Sequence, residues 1–95
     1  MKNLDILKTI PFSVLMPVYA GDKADLVKEA LLSIYNNSLK PDQIVVVEDG
    51  PISQDIEETI NYFRDNSLDI IRLPKNLGIV NALNEGIESC RYQLI

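Results

Sequence analysis

Three times between Phe12 and Cys90 a short apolar run gives way to a polar turn, and then to apolar residues at helical spacing. That alternation restricts the fold more than any other feature. Strands alternating with helices of this length imply βαβ units, a mostly parallel sheet, and right-handed crossovers laid over its faces. The middle run, Ile44-Val45-Val46-Val47, is β-branched throughout and strongly favours a strand. Phe12 to Met16, ended by Pro17, is the kind of apolar segment that a sheet buries on both faces. Asp69 to Leu73 supplies a third strand, and Tyr92 to Ile95 begins a fourth.

Helical patterns separate these runs. Val27, Ala30, Leu31 and Ile34 form one apolar stripe, with Asp22 placed to cap the helix by accepting from its free N–H groups. Ile56, Ile60 and Phe63 form a second stripe after Ser53, an expected N-cap. A third helix is expected from about Gly78, with Val80, Leu83, Ile87 and Cys90 turned inward. Met1 to Pro11 shows no clean period and reads as a lead-in, leaving residues 12–95 as a single unit. The expected class is α/β: a three-layer α/β/α, Rossmann-like arrangement around a mostly parallel sheet, interrupted after the start of the fourth strand.

Composition narrows the partners. A hydrophobic fraction of 46% and a charged fraction of 24% are those of a folded globular chain. The formal net charge of −5 disfavours nucleic acid and anionic lipid, both of which need a surplus of Lys and Arg. One cysteine cannot form an internal disulfide, and without histidine neither a zinc site nor a Ser-His-Asp triad can be built from this chain. No G-x-G-x-x-G follows a strand and no P-loop signature occurs, so dinucleotide and P-loop readings lack their phosphate cradle. The apolar runs are too short for a signal peptide or a membrane span, and a cytoplasmic location is expected.

In an open parallel sheet, ligands bind outside the carboxyl ends of the strands, where loops diverge and helix N-termini point inward. Three segments therefore matter: Pro17-Val18-Tyr19, Glu48-Asp49-Gly50, and Pro74 through Gly78. A carboxylate such as Asp49, on a tight glycine turn, either accepts from a ligand's N–H or hydroxyl groups or simply opens the turn. Tyr19 either lays its ring on a nucleobase or rims the core. Asn76 either contacts a ligand or caps the helix, and Gly78 either shapes a pocket or supplies a backbone angle closed to other residues. Glu48 and Asp49 are adjacent, so their side chains point to opposite faces and do not act as one pair.

Three sequence words carry a resemblance: Phe12-Ser13-Val14-Leu15-Met16-Pro17-Val18-Tyr19, Ile44-Val45-Val46-Val47-Glu48-Asp49-Gly50, and Asn76-Leu77-Gly78 followed by Ala82-Leu83-Asn84-Glu85-Gly86. In this order, with a helix between each pair, they resemble the N-terminal half of family 2 glycosyltransferases, which share a GT-A fold. The resemblance implies that Pro17, Val18 and Tyr19 line a base and ribose pocket and that Asp49 holds the base of a nucleotide-sugar. It also implies that Asn76 and Gly78 shape the far wall, with Glu48 and Gly50 as secondary members. By the same resemblance the donor is a UDP- or GDP-sugar and the acceptor a glycan, in surface polysaccharide synthesis at the inner face of the membrane. Such enzymes bind Mn²⁺ or Mg²⁺ through a D-x-D motif after the fourth strand. The sequence reaches Ile95 before such a motif, so no catalytic or metal-binding residue is expected among these 95, and no transfer activity from them alone.

Departures from the family pattern are Glu48 where Asp is usual, Pro51 where Ser is usual, and Ile79 at a position often basic. A sheet edge lacking later strands is expected to pair with something, so self-association is expected too. Two other readings remain open at this level. Val47-Glu48-Asp49 is similar to the acidic pair of a signalling receiver module, although here the first strand leads to Tyr19 and the third to Pro74-Lys75-Asn76. A non-catalytic interaction module could also keep the fold without the reaction.

Overall fold

A computed structural model describes residues 10–94. Most of the expected lead-in, Met1 to Thr9, and the expected last strand residue, Ile95, lie outside the described residues. The elements run β1 (Phe12–Val18), α1 (Ala24–Tyr35), β2 (Gln43–Glu48), α2 (Gln54–Tyr62), β3 (Leu68–Arg72), α3 (Ile79–Ser89) and β4 (Gln93–Leu94). All strand pairings are parallel, in the order β3-β2-β1-β4. β2 lies between β1 and β3, with Ile44 opposite Val14 and Leu68, and every one of its residues is buried. Its unbroken β-branched run is what a strand covered on both faces requires.

Helices α1 and α2 cover one face. Val27 and Leu31 of α1 and Ile56 and Ile60 of α2 pack with Val18, Ile44, Val46 and Leu68 of the sheet. Helix α3 covers the other face, where Ala82 packs with Val45 and Val47, and Leu15, Ile71, Leu73 and Cys90 close around them. The result is the three-layer α/β/α arrangement expected from the alternation.

Local chemistry corrects several expectations. β1 continues through Pro17 to Val18. Val18 O accepts from Asp49 N at 2.7 Å, so by strand alternation Pro17 turns its nitrogen away from β2. The missing N–H therefore removes no bond between β1 and β2. Asp22 does not cap α1: the N-cap position is Lys23, without a side-chain cap bond. Ser53 does sit at the N-cap of α2, yet its hydroxyl donates to Asp55 and caps nothing.

Helix α3 is rotated from the expected face. Val80 and Ile87 are exposed, while Ala82 and Gly86 are buried against the sheet. Close approach is the reason, since a Cβ at Gly86 would lie 2.6 Å from Val47 Cγ2 and closer still to Leu15 Cδ1. Bulk drives the other helices inward, whereas in α3 smallness decides which face meets the strands.

A polar network fastens the start of the sheet. Gln43 is fully buried; its Nε2 donates to Asp69 Oδ2 at 2.8 Å and to Ser89 O at 3.0 Å. Its Oε1 accepts from Ser13 Oγ at 2.7 Å and from Arg91 N at 2.8 Å, and Ser13 Oγ accepts in turn from Tyr92 N. One amide thereby joins β1, β2, β3, the end of α3 and the entry to β4.

Candidate functional site

A cleft of about 320 Å³ opens beyond the carboxyl ends of β1 and β2, lined by Pro17, Val18, Tyr19, Asp22, Asp49, Asn76, Gly78 and Ile79. The six primary candidates from the sequence therefore meet in one place. Asp22, which by sequence rules caps a helix, and Ile79, at a position often basic in the family it resembles, line the cleft as well.

Asp49 is held at the centre. It follows β2 on a turn where Gly50 has a φ of +89°, and only 5% of its surface is exposed. Its Oδ1 accepts from Leu77 N at 2.7 Å and its Oδ2 from Gly78 N at 3.1 Å. Asn76 completes the clasp, donating through Nδ2 to Asp49 O at 3.3 Å and accepting at Oδ1 from Gly78 N at 3.1 Å. The carboxylate thus ties the loop after β3 to the end of β2 and sits at the N-terminus of α3, where negative charge is favoured. Each oxygen retains a second lone pair for another donor.

Both glycines serve this clasp in different ways. A Cβ at Gly50 would come within 2.7 Å of Asn76 N, so the two loops approach closely only because that position is bare. At Gly78 a Cβ would meet nothing within 4 Å, and the φ of +90° is what demands glycine.

Tyr19 borders the cleft from β1, with 49% of its surface exposed. Its ring is folded over Gly21, whose missing Cβ would lie 2.5 to 2.6 Å from ring atoms and the hydroxyl. The turn beneath is closed twice, Asp22 N donating to Tyr19 O at 3.1 Å and Tyr19 N to Asp22 Oδ2 at 3.0 Å.

Glu48 is not in the cleft. Its side chain leaves the opposite face of β2 and meets Arg72 Nε at 3.4 Å, while Arg72 Nη2 reaches Glu57 at 2.6 Å. Among the described residues Glu48 Oε2 is buried without a hydrogen-bond partner. Burial, reinforced by the Glu57 carboxylate and opposed by Arg72, pushes the Glu48 carboxyl up to about 7. Its backbone alone serves the site, accepting from Gly50 N and Leu73 N. Two adjacent acids on opposite faces cannot form the shared cation site of a receiver module.

Among the described residues no group of three or more His, Cys, Asp or Glu is placed to hold a metal ion. Nor is any described helix long and apolar enough to cross a membrane.

Comparison with known proteins gives a consistent answer. The family model described as glycosyl transferase family 2 matches residues 13–95. The chain is 35% identical over 88 residues to an Escherichia coli UDP-Gal:alpha-D-GlcNAc-diphosphoundecaprenol beta-1,3-galactosyltransferase, covering 92% of this chain and 32% of that protein. It is 35% identical over 85 residues to the amylovoran biosynthesis glycosyltransferase AmsE of Erwinia amylovora, covering 88% and 32%. A poly-beta-1,6-N-acetyl-D-glucosamine synthase of Staphylococcus aureus is 26% identical over 93 residues, covering 98% of this chain and 22% of that one. The chain spans about a third of the length of the first two relatives. With its strand order, its cleft and a match over nearly its whole described length, the chain belongs to glycosyl transferase family 2.

Proposed function

We propose that this chain is the nucleotide-sugar-binding part of a transferase that moves a sugar from a nucleotide-diphospho-sugar donor to a glycan acceptor in surface polysaccharide synthesis. The observation that carries the reading is the fixed Asp49 carboxylate in a cleft at the carboxyl ends of the strands. Held by two backbone N–H groups, it offers lone pairs to the ring N–H of uracil or guanine without having to reorganise. Pro17, Val18 and Tyr19 supply the flat and apolar surface a base needs.

Electrostatics assign the cleft to the neutral part of the donor. Its lining contains two carboxylates and no Lys or Arg, so it attracts hydrogen-bond donors and repels a diphosphate. The base and ribose enter, and the diphosphate and sugar lie beyond the cleft. One named relative is a UDP-Gal transferase, which favours a UDP-sugar donor here. In the whole transferase, a divalent cation would neutralise the leaving diphosphate.

Calorimetric titration of UDP into the wild-type chain and the Asp49→Asn variant tests this reading. An asparagine keeps one acceptor and replaces the other with a donor. Loss of a charged hydrogen bond predicts weakening of about tenfold or more. Equal affinities in the two proteins, or no UDP binding to the wild type, would contradict it. A second reading has its own support, because Asp49 already bonds Leu77 and Gly78 and so could be a loop clasp alone. In that case Asp49→Asn lowers the melting temperature and leaves nucleotide affinity unchanged.

A further inference from the structure

We infer that Glu48, Arg72 and Glu57 form a proton-operated support behind the cleft, holding the Asp49 clasp closed while Glu48 carries a proton and loosening it when that proton leaves. The clasp itself is a feature of the fold, and its effect on a ligand rests on the nucleotide-binding reading above.

Glu48 is 3% exposed, with Oε2 enclosed and unpartnered. Among the described residues, the charged groups that face it are Arg72 from β3 and Glu57 from the first turn of α2. β1 sets the apolar Val18 beside it, and α1 brings apolar residues, Val27 and Leu31 among them, to this face. One guanidinium therefore serves two carboxylates, and it lies nearer Glu57, at 2.6 Å from Nη2, than Glu48, at 3.4 Å from Nε. A neutral Glu48 fits this arrangement. Ionised, it is a buried anion with a bare oxygen beside a second anion, and it regains solvation only by drawing Arg72 from Glu57 or by admitting water. Burial and the Glu57 carboxylate, against Arg72, push the Glu48 carboxyl up to about 7, so the change falls near neutral pH.

Either response reaches the cleft through the backbone. Glu48 O accepts from Gly50 N at 2.9 Å and from Leu73 N, the residue after Arg72, at 3.0 Å. The loop that leaves Leu73 goes on to Asn76, Leu77 and Gly78, which together hold Asp49. On the other side, residues 50–53 join Asp49 to the helix that carries Glu57. A shift of Arg72 or of α2 therefore pulls on the two loops that meet at Asp49.

The test follows the amide signals of Gly50, Leu73, Leu77 and Gly78 from about pH 5 to about pH 9, first in the free chain and then in titrations with uridine, a probe with no phosphate to ionise. In the wild type the four signals should move together, with a midpoint near 7. Glu48→Gln imitates the protonated acid and should abolish the transition. Glu57→Gln removes the like charge that helps to hold the proton and should lower the midpoint. If only the closed clasp binds, uridine affinity falls about tenfold between about pH 6 and about pH 8, as the protonated fraction drops from about nine-tenths to about one-tenth. Glu48→Gln should keep the higher affinity throughout. Signals that do not titrate in the wild type, or that titrate equally in Glu48→Gln, overturn the proposal, as does a uridine affinity indifferent to pH while the signals titrate. Glu57→Gln leaves Glu48 in place, so it is read even if the first variant disturbs the fold, and an unmoved midpoint counts against the support. Signals that titrate without any uridine binding sink the nucleotide reading and leave the support, read in the free chain, standing.

Discussion

A carboxyl group enclosed by a sheet and a helix and left with an unmatched oxygen holds its proton more tightly than one in water, and Glu48 is such a group. Its pKa rises from an ordinary 4.5 to about 7 in the fold, first through burial and then through the nearby Glu57 carboxylate, against the pull of Arg72. Because the folded value is the higher one, the folded chain binds more protons than the unfolded chain between those two values. The contribution is complete below about 4.5, declines as pH rises, and is lost above about 7. Stability of the wild type relative to Glu48→Gln should therefore fall from about pH 5 to about pH 8, as read by urea unfolding at each pH. A difference that stays flat across that interval would count against the enclosed, protonated form. Gly50 makes a second prediction at this scale. Alanine there meets both a φ of +89° and the Asn76 backbone nitrogen, so Gly50→Ala should cost about 1–3 kcal/mol in thermal unfolding and weaken UDP binding through the displaced loop.

Helix α3 shows what periodicity misses at the level of the element. Val80, Leu83, Ile87 and Cys90 have the spacing of an inward stripe, yet only Cys90 packs on the cluster of that face, Val80 and Ile87 are exposed, and the sheet takes Ala82 and Gly86. Spacing identifies the apolar residues of a helix. It does not say that a strand surface already filled by Leu15 and Val47 has room only for small ones. Gly86→Ala sets two effects against each other. Helix propensity gains about 1 kcal/mol, and overpacking costs about 1–3 kcal/mol. The fully buried Val47 is stiff and close, so a net loss in chemical denaturation is expected. A stabilised variant would mean that α3 sits farther from the sheet than described. The other elements were legible for the opposite reason: Ile44 to Val47, and the stripes of Val27, Leu31, Ile56 and Ile60, are bulky residues with a single sensible destination.

Across the whole molecule, the sheet is joined by contacts that sequence proximity does not reveal. Gln43 bonds Ser89 O and Arg91 N, 46 and 48 residues away, and nothing local marks it as the amide that ties the end of α3 to the start of β2. Gln43→Leu would leave the buried Ser13 hydroxyl and the Arg91 N–H short of a partner, costing about 1–3 kcal/mol for each buried group left unpaired. Urea unfolding checks it, and an unchanged midpoint would contradict it. The cleft was legible in part for a topological reason. Parallel strands send their carboxyl ends to one rim, so topology alone groups Tyr19, Asp49 and Gly78. Asp22 could not be grouped with them, because a carboxylate just before a helix looks like a cap until its backbone partner is seen.

At the centre of this account is a nucleoside resting against Asp49, whose present partners, the Leu77 and Gly78 N–H groups, are natural reporters. Amide chemical-shift mapping during UDP titration should move the signals of Tyr19, Asp49, Leu77 and Gly78 together, with one saturation curve. Signals that stay fixed there, or that move instead around the separate apolar groove of Phe12, Ile34 and Pro41, would contradict it.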